Sequence, residues 1–248
     1  MTDDELRVFG RKIVEYCDKF DVPLEHLFQI LEDQKVTPMI RGKAMEYNAV
    51  ILLKGLLNPN LWTVEKLNLN PQPGTEDEDI SVTYLRTGHR LKVESKSAVR
   101  GSMTDGVRCR ELKDIPHFKV KCHRSRSNKK LVSNDRYSAD SFDVLLTNPQ
   151  NAIYKGGTVG EDFEITDEPE LRTLLNDFYN VRSDADLAKA CYKDWRFCFP
   201  ADIAVHGFIP RTPYVKLEDD PIWRPVTEIE ARLNELVTHR RHRAPRRG

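Results

Sequence analysis

One helical pattern in this chain breaks off abruptly and gives way to strand patterns, and that order limits what the chain can fold into. Residues 41–57, Arg-Gly-Lys-Ala-Met-Glu-Tyr-Asn-Ala-Val-Ile-Leu-Leu-Lys-Gly-Leu-Leu, carry the strongest helical pattern of the sequence. Asn58-Pro59-Asn60 stops it, because proline has no amide proton to donate and asparagine favours turns. Residues 61–69 alternate in part and read as a strand, ended by Asn70-Pro-Gln-Pro-Gly74. An acidic turn at 76–79 leads into the β pattern of Ile80–Leu85; Thr87-Gly88 supplies a turn, and 90–97 reads as the return strand of a hairpin. Residues 118–122 alternate again, and 141–147 show the continuous apolar run of a buried strand, closed by Asn148-Pro149.

Around this block the periodicity predicts helices at 4–20, 24–34, 169–180, 184–194 and 226–237. Trp195, Phe197 and Phe199 alternate and read as core packing. The third quarter is linker-like as far as Thr166, and the proline-rich stretch 207–225 reads as irregular. The order describes an α/β or α+β sheet flanked by helices. With 248 residues, roughly 75% of the surface of the unfolded chain can be hidden, so a sizeable core is available.

Composition excludes several classes. No apolar stretch approaches the ~20 residues of a membrane span, and the first residues are acidic where a signal peptide is basic, so a cytoplasmic protein without a membrane is expected. The five cysteines form no Cys-x-x-Cys pair, which argues for buried thiols over a disulfide framework or zinc ribbon. No P-loop is present, and Gly156, Gly157 and Gly160 are too sparse for a dinucleotide fingerprint. The net charge is zero but segregated: His117 to Lys130 holds six Lys/Arg, two His and no acid, and the tail from His239 is basic too. Such a distribution suits docking of a polyanion on one face. Lys119, Lys121, Arg124, Arg126, Lys129 and Lys130 are the candidate phosphate contacts; the plainer reading is a lysine-protected strand edge.

Chemistry concentrates in the hairpin. Asp79 stands at its start and Glu94-Ser-Lys96 at its end. Two carboxylates close in space can hold Mg²⁺ against a phosphate, and a lysine two residues past the second points to the same face of the strand. The acid-x-Lys triplet alone is weak: three occur, about as many as chance supplies, the others being Asp33-Gln-Lys35 and Glu111-Leu-Lys113. Only Glu94 lies inside a β pattern with an aspartate one hairpin away. The plainer reading of Glu94 and Lys96 is a same-face ion pair on a solvated strand, worth well under about 1 kcal/mol.

Helix 41–57, strand 61–69, the Asp79 strand and the Glu94-Ser-Lys96 strand together resemble the PD-(D/E)XK nucleases, and among them the type II restriction endonucleases. The resemblance covers about 41–147 and includes the segments ending in Cys122-His-Arg-Ser-Arg-Ser and Asn134-Asp-Arg-Tyr137. It implies an α/β fold with a restriction-endonuclease-like mixed central β-sheet flanked by helices, and a magnesium-dependent endonuclease acting on double-stranded DNA. Asp79 and Glu94 would be metal ligands, with the Val93 carbonyl as a further one. Lys96 would position or deprotonate the attacking water, and Glu46 would orient a metal-bound water or bind a second ion. The proline that usually precedes the first aspartate is Glu78 here, so Asp77 and Asp79 both stand as candidates; Asp79 is preferred because Ile80, directly after it, begins the apolar strand. The organisation expected is N-terminal helices at 1–34 that can form a homodimer interface, a nuclease core at 35–205, and a C-terminal extension at 206–248. Two alternatives stay open: a DNA repair or recombination nuclease of the same fold, and a non-catalytic nucleic-acid-binding protein in which Glu94 and Lys96 are surface charges.

Overall fold

The computed structural model describes residues 1–33, 35–67, 79–106, 112, 115–123, 135–155 and 164–243, with side chains to 238. It divides into two compact units, with the break between Lys43 and Ala44. The division falls inside a helix, later than the boundary at 34 drawn from the sequence.

The N-terminal unit is helical. Helix α1, Asp3–Lys19, begins with a capping box: Thr2 accepts from the amide of Glu5, and the Glu5 carboxylate accepts from the amide of Thr2 at 2.7 Å. Its apolar stripe follows the predicted spacing, yet of α1 only Cys17 is buried, and Leu6, Phe9, Tyr16 and Phe20 are exposed. The expected helix at 24–34 is shorter, a 3₁₀ turn at Leu24–His26 running into α2, Leu27–Leu31. Helix α3 spans Val36–Leu56 and ends where the Asn58-Pro59 break demands.

In the larger unit a six-stranded sheet runs in the order β1-β2-β3-β5-β6-β8. The strands are β1 Trp62–Lys66, β2 Ile80–Tyr84, β3 His89–Ser95, β5 Val144–Thr147, β6 Arg196–Cys198 and β8 Arg224–Pro225. All neighbours pair antiparallel except β3 with β5, so the sheet is mixed. The β2–β3 turn depends on Gly88, whose φ of +68° is costly for any residue with a Cβ. Strands β4, His117–Lys119, and β7, Tyr214–Lys216, form a separate two-stranded sheet.

Side-chain alternation splits the core into two layers. Trp62, Val64, Ile80, Val82, Leu91, Val93, Val144, Leu146 and Phe197 face one way and pack with Ala49, Val50 and Leu53 of α3 and with Ile229 and Leu233 of α6, Ile229–Arg243. Leu145 and Cys198 face the other way. They join Phe118 and Val215 of the small sheet, and Leu175 and Leu187 of α4, Pro169–Tyr179, and α5, Asp184–Lys193. Trp195 and Phe197 are core, as their alternation predicts.

Two readings are corrected. The stretch 207–225 is not wholly irregular: it contributes β7 and β8, and the carbonyls of Pro213 and Arg211 accept from the amides of Val120 and Cys122. These strands are only two or three residues long, too short for a period to be legible among prolines. The linker-like third quarter contains a 3₁₀ turn at Gln150–Ile153 that buries Ala152 and Ile153. Among the described residues, no helix is long and apolar enough to cross a membrane.

Candidate functional site

The β2–β3 register sets Ile80 opposite Val93. One residue further out, Asp79 and Glu94 come opposite one another, and their carboxyl groups share a hydrogen bond. Because side chains alternate, both point away from the α3 side of the sheet, where Ile80 and Val93 point. Lys96 shares the face of Glu94 and makes a direct ion pair with Glu94 Oε1. The Lys96 backbone is fixed by β5: its amide donates to Leu146 O at 2.9 Å, and its carbonyl accepts from Thr147 Oγ1 at 2.7 Å.

The electrostatics are those of a carboxyl pair removed from water. Asp79 and Glu94 are 7% and 5% exposed. Burial pushes Glu94 up to about 8; Lys96 opposes the shift and Asp79 adds to it. Burial, then Glu46, raises Asp79, against Lys96, Lys66 and the hydrogen bond with Glu94. For Lys96 burial acts downward, but Glu94, Tyr137 and Asp79 outweigh it and hold the ammonium well above the ordinary lysine range. The Tyr137 ring lies beneath this ammonium, its centroid 5.2 Å from Nζ. Cys122 is within electrostatic reach of Lys96 and Glu94, and burial drives its thiol up to about 12.

Glu46 adds to the burial that raises Asp79. Its Oε2 takes the ammonium of Lys66 at 2.6 Å, and Lys66 Nζ also donates to the Asp79 carbonyl at 3.2 Å. Helix α3 touches the end of the hairpin one residue earlier, where Ser97 Oγ meets Met45 Sδ at 3.1 Å. Val93 turns its side chain into the α3-side core, and its backbone lies between the paired strands β2 and β5.

The basic strand reaches the same place through its backbone. Lys121 N donates to Ser97 O at 3.0 Å, and Val99 N to Lys119 O at 2.7 Å, so the strand runs beside the residues that directly follow Lys96. Lys121 is exposed; Lys119 lies 5.3 Å over the Tyr214 ring. Arg124, Arg126, Lys129, Lys130 and Asp77 lie outside the described residues.

Lys66, Tyr137 and Cys122 were not singled out from sequence as site residues. For Lys66 a signal existed: alternation with Trp62 and Val64 puts it on the buried face of its strand, an unusual place for a lysine. Tyr137 and Cys122 lie in segments that the resemblance includes, but no local pattern marks these two side chains as neighbours of the hairpin, because only folding brings them there.

Two touching carboxyl groups shifted upward by burial cannot both ionise without a nearby cation. Lys96 supplies one charge, and a hard divalent ion that prefers oxygen donors fits the remainder. Among the described residues no three His, Cys, Asp or Glu side chains converge. Comparison with protein-family models, curated proteins and solved structures finds no match. Fold and site by themselves define a mixed α/β protein with a buried carboxylate–lysine centre on one face of its main sheet.

Proposed function

We propose that this chain is a magnesium-dependent endonuclease that hydrolyses phosphodiester bonds of double-stranded DNA, and specifically a site-specific restriction enzyme of type II with a restriction-endonuclease-like core. The observation that carries the reading is the meeting of Asp79, Glu94 and Lys96 on one face, with a basic strand hydrogen-bonded to the residues beyond them.

Asp79 and Glu94 would hold Mg²⁺ through carboxylate oxygens. When bound, the ion supplies charge to the scissile phosphate and lowers the pKa of a coordinated water. In the metal-free protein burial acts against the Lys96 charge, and its ion pair with Glu94 outweighs burial. That favours a fixed cation that donates to the phosphate and orients the attacking water over a general base. Tyr137 keeps the ammonium aimed by covering one side of it. Lys119 and Lys121 would set the register of the DNA backbone against this centre. Cutting both strands of a symmetric site requires two such centres, so a homodimer is part of the proposal. The exposed apolar side chains of the N-terminal helices, among them Phe9, Tyr16 and Phe28, are suited to that contact.

The test is incubation of the purified protein with phage DNA in Mg²⁺ or in chelator. Discrete metal-dependent fragments support restriction, and a smear points to a non-specific or repair nuclease. DNA left intact under both conditions removes the enzymatic reading.

A further inference from the structure

The proposed chemistry does not use Lys66, although it is built into the site. It occupies the last paired position of β1, opposite Ile80, so the strand places its stem one residue from Asp79. Its ammonium lies between an acid of α3, 2.6 Å from Glu46 Oε2, and the Asp79 carbonyl at 3.2 Å. Lys66 and Glu46 side chains are only 11% and 13% exposed, so water screens this pair weakly.

We propose that Lys66 occupies the place of a second divalent cation, so that the site takes one metal ion and not two. The inference rests on the metal-dependent reading above. An ion bridging Glu46 and the Asp79 side of the site would need oxygens that Lys66 already holds, and a divalent ion beside a fixed ammonium is repelled. Glu46 is then a positioning residue: it anchors Lys66, and Lys66 sets the electrostatics of Asp79.

Mn²⁺ is the probe, counted by calorimetry and by its electron paramagnetic resonance signal in metal-free protein. Wild type is expected to bind one ion per chain, and Lys66→Met two, the second lost again in Lys66→Met/Glu46→Gln. Lys66→Arg retains the charge and is expected to bind one. Should Lys66→Met fail to fold, Glu46→Gln in the wild-type background decides: the single ion persists, with affinity lowered by no more than the roughly 10–100-fold typical of a group behind the ligands, whereas loss of a metal ligand costs more. One ion in Lys66→Met, two in wild type, or loss of the ion in Glu46→Gln overturns the inference and leaves the nuclease reading standing. No Mn²⁺ bound by folded wild type overturns both.

Discussion

The carboxyl groups of Asp79 and Glu94 share a hydrogen bond across the β2–β3 hairpin. The two groups are buried, adjacent and of like charge, so at least one keeps its proton well above the ordinary carboxylate range. This makes the hairpin sensitive to pH and to cations in opposite ways.

In chelator, stability is expected to fall as pH rises from about 4.5, the ordinary glutamate value, to about 8. In that window the unfolded chain has released a proton that folded Glu94 retains, so deprotonation favours unfolding. With Mg²⁺ present the stabilisation by metal should grow over the same window, because the ion binds the deprotonated pair. Melting curves at several pH values, with Mg²⁺ and with chelator, check both slopes. Glu94→Gln should flatten the first and abolish the second.

Glu94→Gln and Lys96→Met should each reduce cleavage at least about a thousandfold. They differ in stability. Lys96→Met strips the buried Glu94 of its counter-charge and should cost about 3 kcal/mol above pH 8, whereas glutamine at 94 leaves the Lys96 ammonium with Asp79 as a remaining counter-charge. Single-turnover cleavage with urea unfolding separates the two effects.

Lys121 is exposed on the strand bonded to Ser97. If it meets a phosphate, Lys121→Ala lowers the slope of log affinity against log salt by about one and weakens all DNA sequences alike. Fluorescence anisotropy in Ca²⁺, over a range of salt, measures this; an unchanged slope sets the phosphate contact aside.

Phe9→Glu with Phe28→Glu places charge on the N-terminal helices, where these rings are 55% and 71% exposed. Sedimentation should show a dimer become a monomer, with single-strand nicking retained over double-strand cutting. A wild-type monomer at micromolar concentration would falsify this assignment.

Arg196 serves as a structural control. It is 7% exposed and its guanidinium holds Asp194 together with the carbonyls of Lys216 and Leu217. Arg196→Met should cost about 3 kcal/mol by stranding a charge and two carbonyls, without altering the number of Mn²⁺ ions bound.

The element order was legible because it is local. Helices follow from residues three and four apart, the stop at 58–60 from proline, and the hairpin from alternation around Gly88. Alternation also dictates that Glu94 and Lys96 share a face, whatever the rest of the fold. It does not say which side that face borders or how deeply it is buried. Only the tertiary structure decided that β3 pairs parallel with β5, about fifty residues away, and that 214–216 and 224–225 are strands. It also brought Lys66, Tyr137 and Cys122 to a hairpin none of them belongs to. The reason is physical: local patterns are written by neighbours in the chain, whereas burial, which shifted Glu94 and fixed its partners, is a property of segments that meet only once the core has closed.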